Sequence, residues 1–327
     1  MTELEPDNPE HFLKYILLSI RIGDMKSAQI TFDSYPESAK STDEYHQLGY
    51  SLGLGLKNSE LADYHLEKLL ESNPDDEELL YSLSTLRIQT SEDPEKISKA
   101  ENTLKELAKA ESSRVPALRI LLTHSLVRND VEKIREIASQ LRQIEELSIK
   151  DDLLLLQAEK VLEEDTFEEK VARLLERETE EPQDVDLTLE FLIKHQQLES
   201  ALHWIDNLTT EVTQGENTKK LVSRVYYLTE NWERLTAFIS DTDWGNQEYA
   251  RLLLLALTSR SQNDEIKFRD YWKRCLIEIG TDVENLNVLL DTTISWNWDS
   301  ETVEVLEALF REEPANDKTY ILPPFKS

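Results

Sequence analysis

The chain has a single cysteine, Cys275, so no intrachain disulfide can staple it. One thiol suits a reducing cytoplasm and does not exclude a bacterial periplasm. Only 7 glycines and 10 prolines occur in 327 residues. An all-β fold needs many tight turns, and this supply is too small for one. Bases are scarce as well: 36 Lys and Arg stand against 66 Asp and Glu, a formal net charge of −30. Such a surface repels nucleic acid and anionic membranes and leaves a cationic partner open. It also keeps a chain soluble. No stretch approaches the roughly 18 apolar residues of a membrane span. The longest apolar run, Leu252-Leu253-Leu254-Leu255-Ala256-Leu257, has the length of a core helix segment. The start, Met1-Thr2-Glu3-Leu4-Glu5-Pro6, lacks the basic region and apolar stretch of a signal peptide. The expected localisation is a soluble segment of cytoplasmic or periplasmic type.

Helix formers are abundant: Leu, Glu, Lys, Ala and Gln dominate. The apolar fraction of 39% is low for one compact core and suits a solenoid, which keeps a high ratio of surface to volume. Pro36, Pro74, Pro94, Pro116, Pro182, Gly215, Gly245, Gly280 and Pro314 punctuate the chain. Between them the pattern predicts about nine helical pairs at spacings near 35 residues. They are expected at 9–21 with 24–35, 43–56 with 59–72, 75–89 with 94–110, 115–127 with 130–146, and 151–163 with 166–178. The rest are 184–195 with 197–210, 216–229 with 231–240, 246–259 with 264–278, and 282–295 with 299–312. Each helix carries a spaced apolar stripe, such as Leu118, Leu121, Leu122 and Leu126 facing Ile134, Ile137, Ala138 and Leu141. One hairpin cannot bury its stripe, but stacking on the next one does.

The most informative stretch is Gly23-Asp24-Met25-Lys26-Ser27-Ala28, followed by Phe32 and Tyr35. Gly23 stops one helix, Asp24 caps the next, and small Ala28 lets the two approach. With Phe12 and Tyr15 on the first helix, this unit resembles the tetratricopeptide repeat and its consensus of about 34 residues. The second unit matches through Tyr45, Leu48, Gly49, Ala62, Leu66, Leu69 and Pro74. The third does so through Leu80, Leu83, Ser84, Ala100, Leu104 and Leu107, and the sixth through Ala201, Ile205 and Leu208. The match is strongest over about residues 6–110 and decays later, where Asn231-Trp232 and Asn297-Trp298 stand in the turns. The resemblance implies an all-α, right-handed superhelical solenoid of about nine antiparallel hairpins. Residues 1–146 hold repeats close to consensus, 147–313 degenerate repeats, and 314–327 an extended tail with Ile321-Leu322-Pro323-Pro324-Phe325. Leu4-Glu5-Pro6-Asp7-Asn8-Pro9 reads as the tail of a preceding helix, so upstream residues are expected before Met1.

Few residues point to catalytic or cofactor chemistry. His11, His46, His65, His124, His195 and His203 are scattered, with no paired-ligand motif; only His195 and His203 are expected near each other. Gly49, Gly53 and Gly55 follow no strand, so they read as close helix contacts rather than a dinucleotide loop. Asp241-Thr242-Asp243-Trp244-Gly245 fails the calcium-loop pattern. Glu pairs such as Glu163-Glu164 and Glu168-Glu169 read as solvated helix ends. The six tryptophans all lie in the C-terminal part and are expected to fill core gaps, and Cys275, beside Trp272, Leu276 and Ile279, is expected to be a buried structural thiol.

The expectation is a non-catalytic scaffold, with no catalytic, metal or cofactor residues. It would bind a protein or peptide of basic or neutral-apolar character on a concave face lined by first helices. The resemblance places Leu13, Leu17, Ile20, His46, Tyr50, Tyr81, Thr85, Ile88, Arg119 and Thr123 on that face. Lys220 and Arg224, one turn apart, resemble the cation pair with which some tetratricopeptide co-chaperones hold a carboxylate. Nucleic acid and membrane insertion are not expected. The rival readings are a homo-oligomer formed through solenoid end faces or the groove and, more remotely, a helical enzyme with an unrecognised site.

Overall fold

The computed structural model describes residues 8–163, 166–177 and 181–312. Among these the chain forms nineteen α-helices and no strand. The chain divides into two compact units, Met1–Glu176 and Arg177–Ser327. This division is one of packing; the boundary expected at 146/147 is one of repeat consensus.

The first unit contains α1 (Pro9–Arg21), α2 (Met25–Asp33), α3 (Asp43–Gly55), α4 (Ser59–Ser72), α5 (Glu77–Thr90), α6 (Pro94–Leu107), α7 (Glu111–Val127), α8 (Val131–Leu141), α9 (Ile149–Val161) and α10 (Phe167–Leu175). Successive helices pair as hairpins: α1 with α2, α3 with α4, α5 with α6, α7 with α8, and α9 with α10. First helices also touch first helices, α1 with α3, α5 with α7 and α7 with α9. The second unit contains α11 (Pro182–Lys194), α12 (Leu198–Ile205), α13 (Thr210–Thr213), α14 (Thr218–Leu228), α15 (Trp232–Asp241), α16 (Glu248–Ser261), α17 (Glu265–Ile279), α18 (Val283–Ser295) and α19 (Asp299–Glu312). There α11 packs on α12 and α14, α14 on α15, α16 on α17 and α18 on α19.

The same backbone turn closes most of the hairpins. Gly23, Lys57, Asn129, Gln196, Glu230, Asn263 and Asn297 hold φ between 53° and 78°. The next N–H then reaches back five residues: Asp24 to the Ser19 carbonyl, Asn58 to Gly53, Asp130 to Ser125, Gln197 to Leu192, Asn231 to Tyr226, Asp264 to Ser259 and Trp298 to Thr293, all at 2.8–3.0 Å. This is the long bond of the Schellman motif, which satisfies a carbonyl orphaned at a helix end. Asp24, Asn58, Asp130, Asn231 and Asp264 go on to cap the following helix with their side chains. Left-handed residues at 129, 163, 196, 230, 263 and 297 recur every 33 or 34 residues, as Gly23 and Lys57 do. The third hairpin departs from the pattern. Ser91 is extended, and Pro94 opens α6 from the first helical position, where its missing N–H costs nothing.

Three expectations need correction. Pro116 separates no helices; it lies inside α7, which starts at Glu111. A proline there leaves the Ser112 carbonyl without a helical partner, and Ser112 is exposed, so water can satisfy it. The second helix of the fourth pair ends at Leu141, short of 146. The second helix of the sixth pair ends at Ile205, and the chain then forms the separate short helix α13, capped by Thr209. The expected tail at 314–327, the lead-in through Asp7, Pro314 and Glu164 lie outside the described residues.

Both units are built on buried stripes. Ala28 is fully buried with Ile16, Phe32 and Leu52. Leu118, Leu121 and Leu122 meet Ile134, Ile137, Ala138 and Leu141 as the stripes require. In the second unit, Trp272 and Trp298 pack with Phe268, Leu286 and Val305, and half-buried Trp232 and Trp296 lean on the same core. Trp204 and Trp244 are also buried, so the tryptophans fill core space as expected. Cys275 is fully buried, its Sγ lies 3.2 Å from the Tyr249 carbonyl, and burial pushes its thiol up to about 12.

Candidate binding surface

The residues expected on the concave face sit on α1, α3, α5 and α7, and the structure sorts them into three groups. Leu17 and Thr123 are exposed and available. Leu13, Ile20, Tyr50 and Tyr81 are half-buried, and Ile88 is buried, each packed against the core of its own hairpins. These five present at most an edge to a ligand. His46, Thr85 and Arg119 are tied up or turned in: the Thr85 hydroxyl is buried without a hydrogen-bond partner, and the other two are committed to distant side chains.

Arg119 donates from Nε to Asp151 Oδ1 at 2.6 Å and from Nη2 to Oδ2 at 2.9 Å. Asp151 lies in the first turn of α9 and is buried. Burial alone would raise its carboxyl, but the Arg119 guanidinium and the Ser148 hydroxyl hold it below the ordinary carboxylate range. Arg87 is spent in the same manner. It is buried on α5, donates to Asp63 at 2.5 and 3.1 Å, and also bonds Glu67, while Lys96 of α6 reaches Asp63 at 2.7 Å. These four side chains tie α4, α5 and α6 together, and neither arginine offers a free positive charge to a ligand.

His46 meets His65, Nδ1 to Nδ1 at 2.9 Å, across the interface of α3 and α4. Both rings are buried. Phe32 and Tyr45 stack at 4.6 Å beside them, and Phe32, Tyr45 and Tyr64 each meet the His65 ring within 5.6 Å. The sequence reading paired His195 with His203 instead. His203 is exposed, whereas His195 packs on Phe191 with ring centroids 4.3 Å apart. A usable signal was present: His46 lies ten residues before the Leu56–Asn58 turn and His65 seven after it, so the hairpin folds one back toward the other.

In the second unit, Lys220 and Arg224 of α14 are both exposed and carry no ion pair among the described residues. The packed neighbour α11 has no asparagine to complete a carboxylate clamp. Lys219, next to Lys220, is buried, donates to the Asp243 carbonyl at 2.8 Å and lies over the Trp244 ring. Asp243 Oδ1 accepts from the Gly245 N–H, which makes the faint calcium-like segment a turn.

Exposed apolar side chains gather on the first hairpin. Tyr15, Leu18 and Ile22 fall on one face of α1, and Ile30 projects from α2. A cleft of about 400 Å³ lies between α4, α5 and α6, with Leu70, Leu80, Leu83 and Ala100 in its wall and Glu67, Glu71 and Lys99 at its rim. No group of three or more His, Cys, Asp or Glu that could hold a metal ion occurs among the described residues, and no described helix is long and apolar enough to cross a membrane. No protein-family model and no curated protein matches this chain.

Proposed function

We propose that the hairpins of each unit are tetratricopeptide-like repeats of a right-handed solenoid, and that the chain is a non-catalytic scaffold binding a protein or peptide. The observation that carries this reading is the recurrence of one left-handed turn at intervals of 33 or 34 residues, from Gly23 to Lys57 and again from Asn129 through Asn297, with a five-residue back-bond at Gly23, Lys57, Asn129, Gln196, Glu230, Asn263 and Asn297. That is the period of the repeat family, maintained where the amino-acid consensus has decayed. Contacts of α1 with α3, α5 with α7 and α7 with α9 support a surface lined by first helices. On it, Leu17 and Thr123 are the accessible positions, and Tyr50 and Tyr81 are edges.

The ligand is expected to be basic or neutral-apolar. Net charge is −30, and Arg87 and Arg119 are neutralised by their partners. A binding screen against acidic and basic peptide pools at two salt concentrations tests this. Basic peptides should bind, and binding should weaken as salt rises, because screening shortens to roughly 8 Å at physiological ionic strength. Leu17→Asp should then disturb an apolar contact and reduce capture of neutral-apolar peptides. Selective capture of the acidic pool would sink the charge argument.

Self-association is the second reading, and the exposed apolar side chains Tyr15, Leu18, Ile22 and Ile30 of the first hairpin favour it. Light scattering separates the two. A monomer in solution supports the binding scaffold, whereas a dimer that Ile22→Lys converts to monomer supports the oligomer.

A further inference from the structure

We propose that His46 and His65 form a proton-operated latch: neutral, they hold α3 against α4; protonated, they release it. Their Nδ1 atoms are 2.9 Å apart inside the hairpin. At that distance one nitrogen carries the proton and donates while the other accepts, so the neutral pair holds one proton between two facing atoms. The first added proton can settle on the donor ring's Nε2 and leave the bond in place, whereas a proton on the accepting Nδ1 turns that acceptor into a donor. Two N–H groups then oppose each other, a positive charge enters a buried site, and the bond is lost.

The rings have little room to turn away. An added Cβ at Gly49 would stand 2.3 Å from the His65 ring, so the ring already rests on the α3 backbone. Phe32 closes one side edge-on at 5.6 Å, and Tyr45 and Tyr64 meet the ring at 5.5 and 5.0 Å. Two carboxylates and one lysine act on His46, each by less than its burial does. From α3, Asp43 favours a proton on His46; from α4, Glu71 favours it and Lys68 opposes it. Lys68 and Glu71 also bond each other at 2.7 Å. From α2, the side chain that meets the pair is Phe32, which is uncharged. Burial therefore dominates and holds both imidazoles below their ordinary value, His65 at about 4. Because Phe32 stacks on Tyr45, release of the pair also loosens the junction between the first two hairpins. The latch requires no ligand, so it stands or falls separately from the scaffold reading.

The full chain tests it by two measurements. Imidazole nitrogen NMR of the histidine-labelled protein should show the His65 ring titrating near 4 and the His46 ring below its ordinary value, each assigned by loss of its signal in His46→Asn or His65→Asn. Hydrogen exchange, corrected for intrinsic rates, should show opening of α3 and α4 rising roughly twentyfold between pH 7 and pH 5. The comparison is α16 and α17, which contain no histidine. In His65→Asn the side-chain amide keeps a donor near the Nδ1 position but cannot titrate, so the excess rise in α3 and α4 should shrink to the part that His46 contributes. Both rings titrating near 6.5, or an equal rise in the two hairpins of the wild type, overturns the proposal. Should the variants fail to fold, the wild-type exchange comparison still decides.

Discussion

Three glycines of α3 provide a graded test of how closely its neighbours approach. Each is replaced by alanine in turn. Inside a helix that change alone is worth about 1 kcal/mol in favour of folding. The new Cβ opposes the gain to different degrees. At Gly53 it would stand 2.7 Å from the Ala62 nitrogen and 3.0 Å from its Cα. These are backbone atoms, so relief requires α4 to move off α3. At Gly49 it would lie 2.3–2.5 Å from three atoms of the His65 ring, which the aromatic cluster confines. At Gly55 it would meet Met25 Sδ at 2.6 Å and Cε at 2.9 Å, the far end of a flexible side chain. Overpacking typically costs about 1–3 kcal/mol, and a rotamer change can relieve it only at Gly55. The expected order of loss is Gly53→Ala, then Gly49→Ala, with Gly55→Ala close to neutral. The first two should lose up to about 2 kcal/mol net. Urea unfolding followed by far-ultraviolet circular dichroism, with unchanged m, measures this. A Gly53→Ala protein more stable than wild type would refute the close approach. A loss at Gly55 as large as at Gly53 would show that contact with backbone is not what sets the cost.

Ala28→Trp should destabilise the first hairpin by about 1–3 kcal/mol, since Ala28 is fully buried between α1, α2 and α3; an unchanged melting curve would contradict the packing. Arg87→Leu should cost about 3 kcal/mol, because it leaves half-buried Asp63 with Lys96 alone, and Asp63→Asn in the same chain should recover part of that loss; urea midpoints of the single and double variants check it. Stability should also depend on pH in two windows. His65 has its folded value depressed to about 4, so its contribution is complete above the ordinary 6.5 and is lost as pH falls from there to about 4, at most about 3 kcal/mol. Asp63 and Asp151, held below 3.8 despite burial, contribute above that value and lose their contribution only at lower pH. Urea titrations of wild type and His65→Asn at closely spaced pH should differ in slope between 6.5 and about 4 and run parallel below; parallel curves throughout would remove His65 as the cause.

The sequence by itself determined where most helices begin and end. The signals are local: Asn8, Asp24, Asn58 and Asp264 cap within three residues, Pro94 and Pro182 open helices, and the turns close through a bond of five residues. The buried stripes were equally legible, because a period of 3.6 puts Leu118, Leu122, Ile134 and Leu141 on facing sides without knowledge of anything distant. The regularity of the turns was hidden, since Lys57, Glu163 and Glu230 adopt the left-handed conformation that only Gly23 advertises by its chemistry. Pro116 misled because its cost depends on whether the freed carbonyl reaches water, which is a matter of exposure. The binding surface was the least legible part. Whether Arg119, Arg87 or His46 faces a ligand depended on Asp151, Asp63 and His65, which stand 32, 24 and 19 residues away. Helical spacing assigns a side chain to a face of its own helix. Only the packed neighbour decides whether the charge or lone pair on that face is still free, because a partner within about 3 Å takes it out of solvent and out of reach of any other ligand.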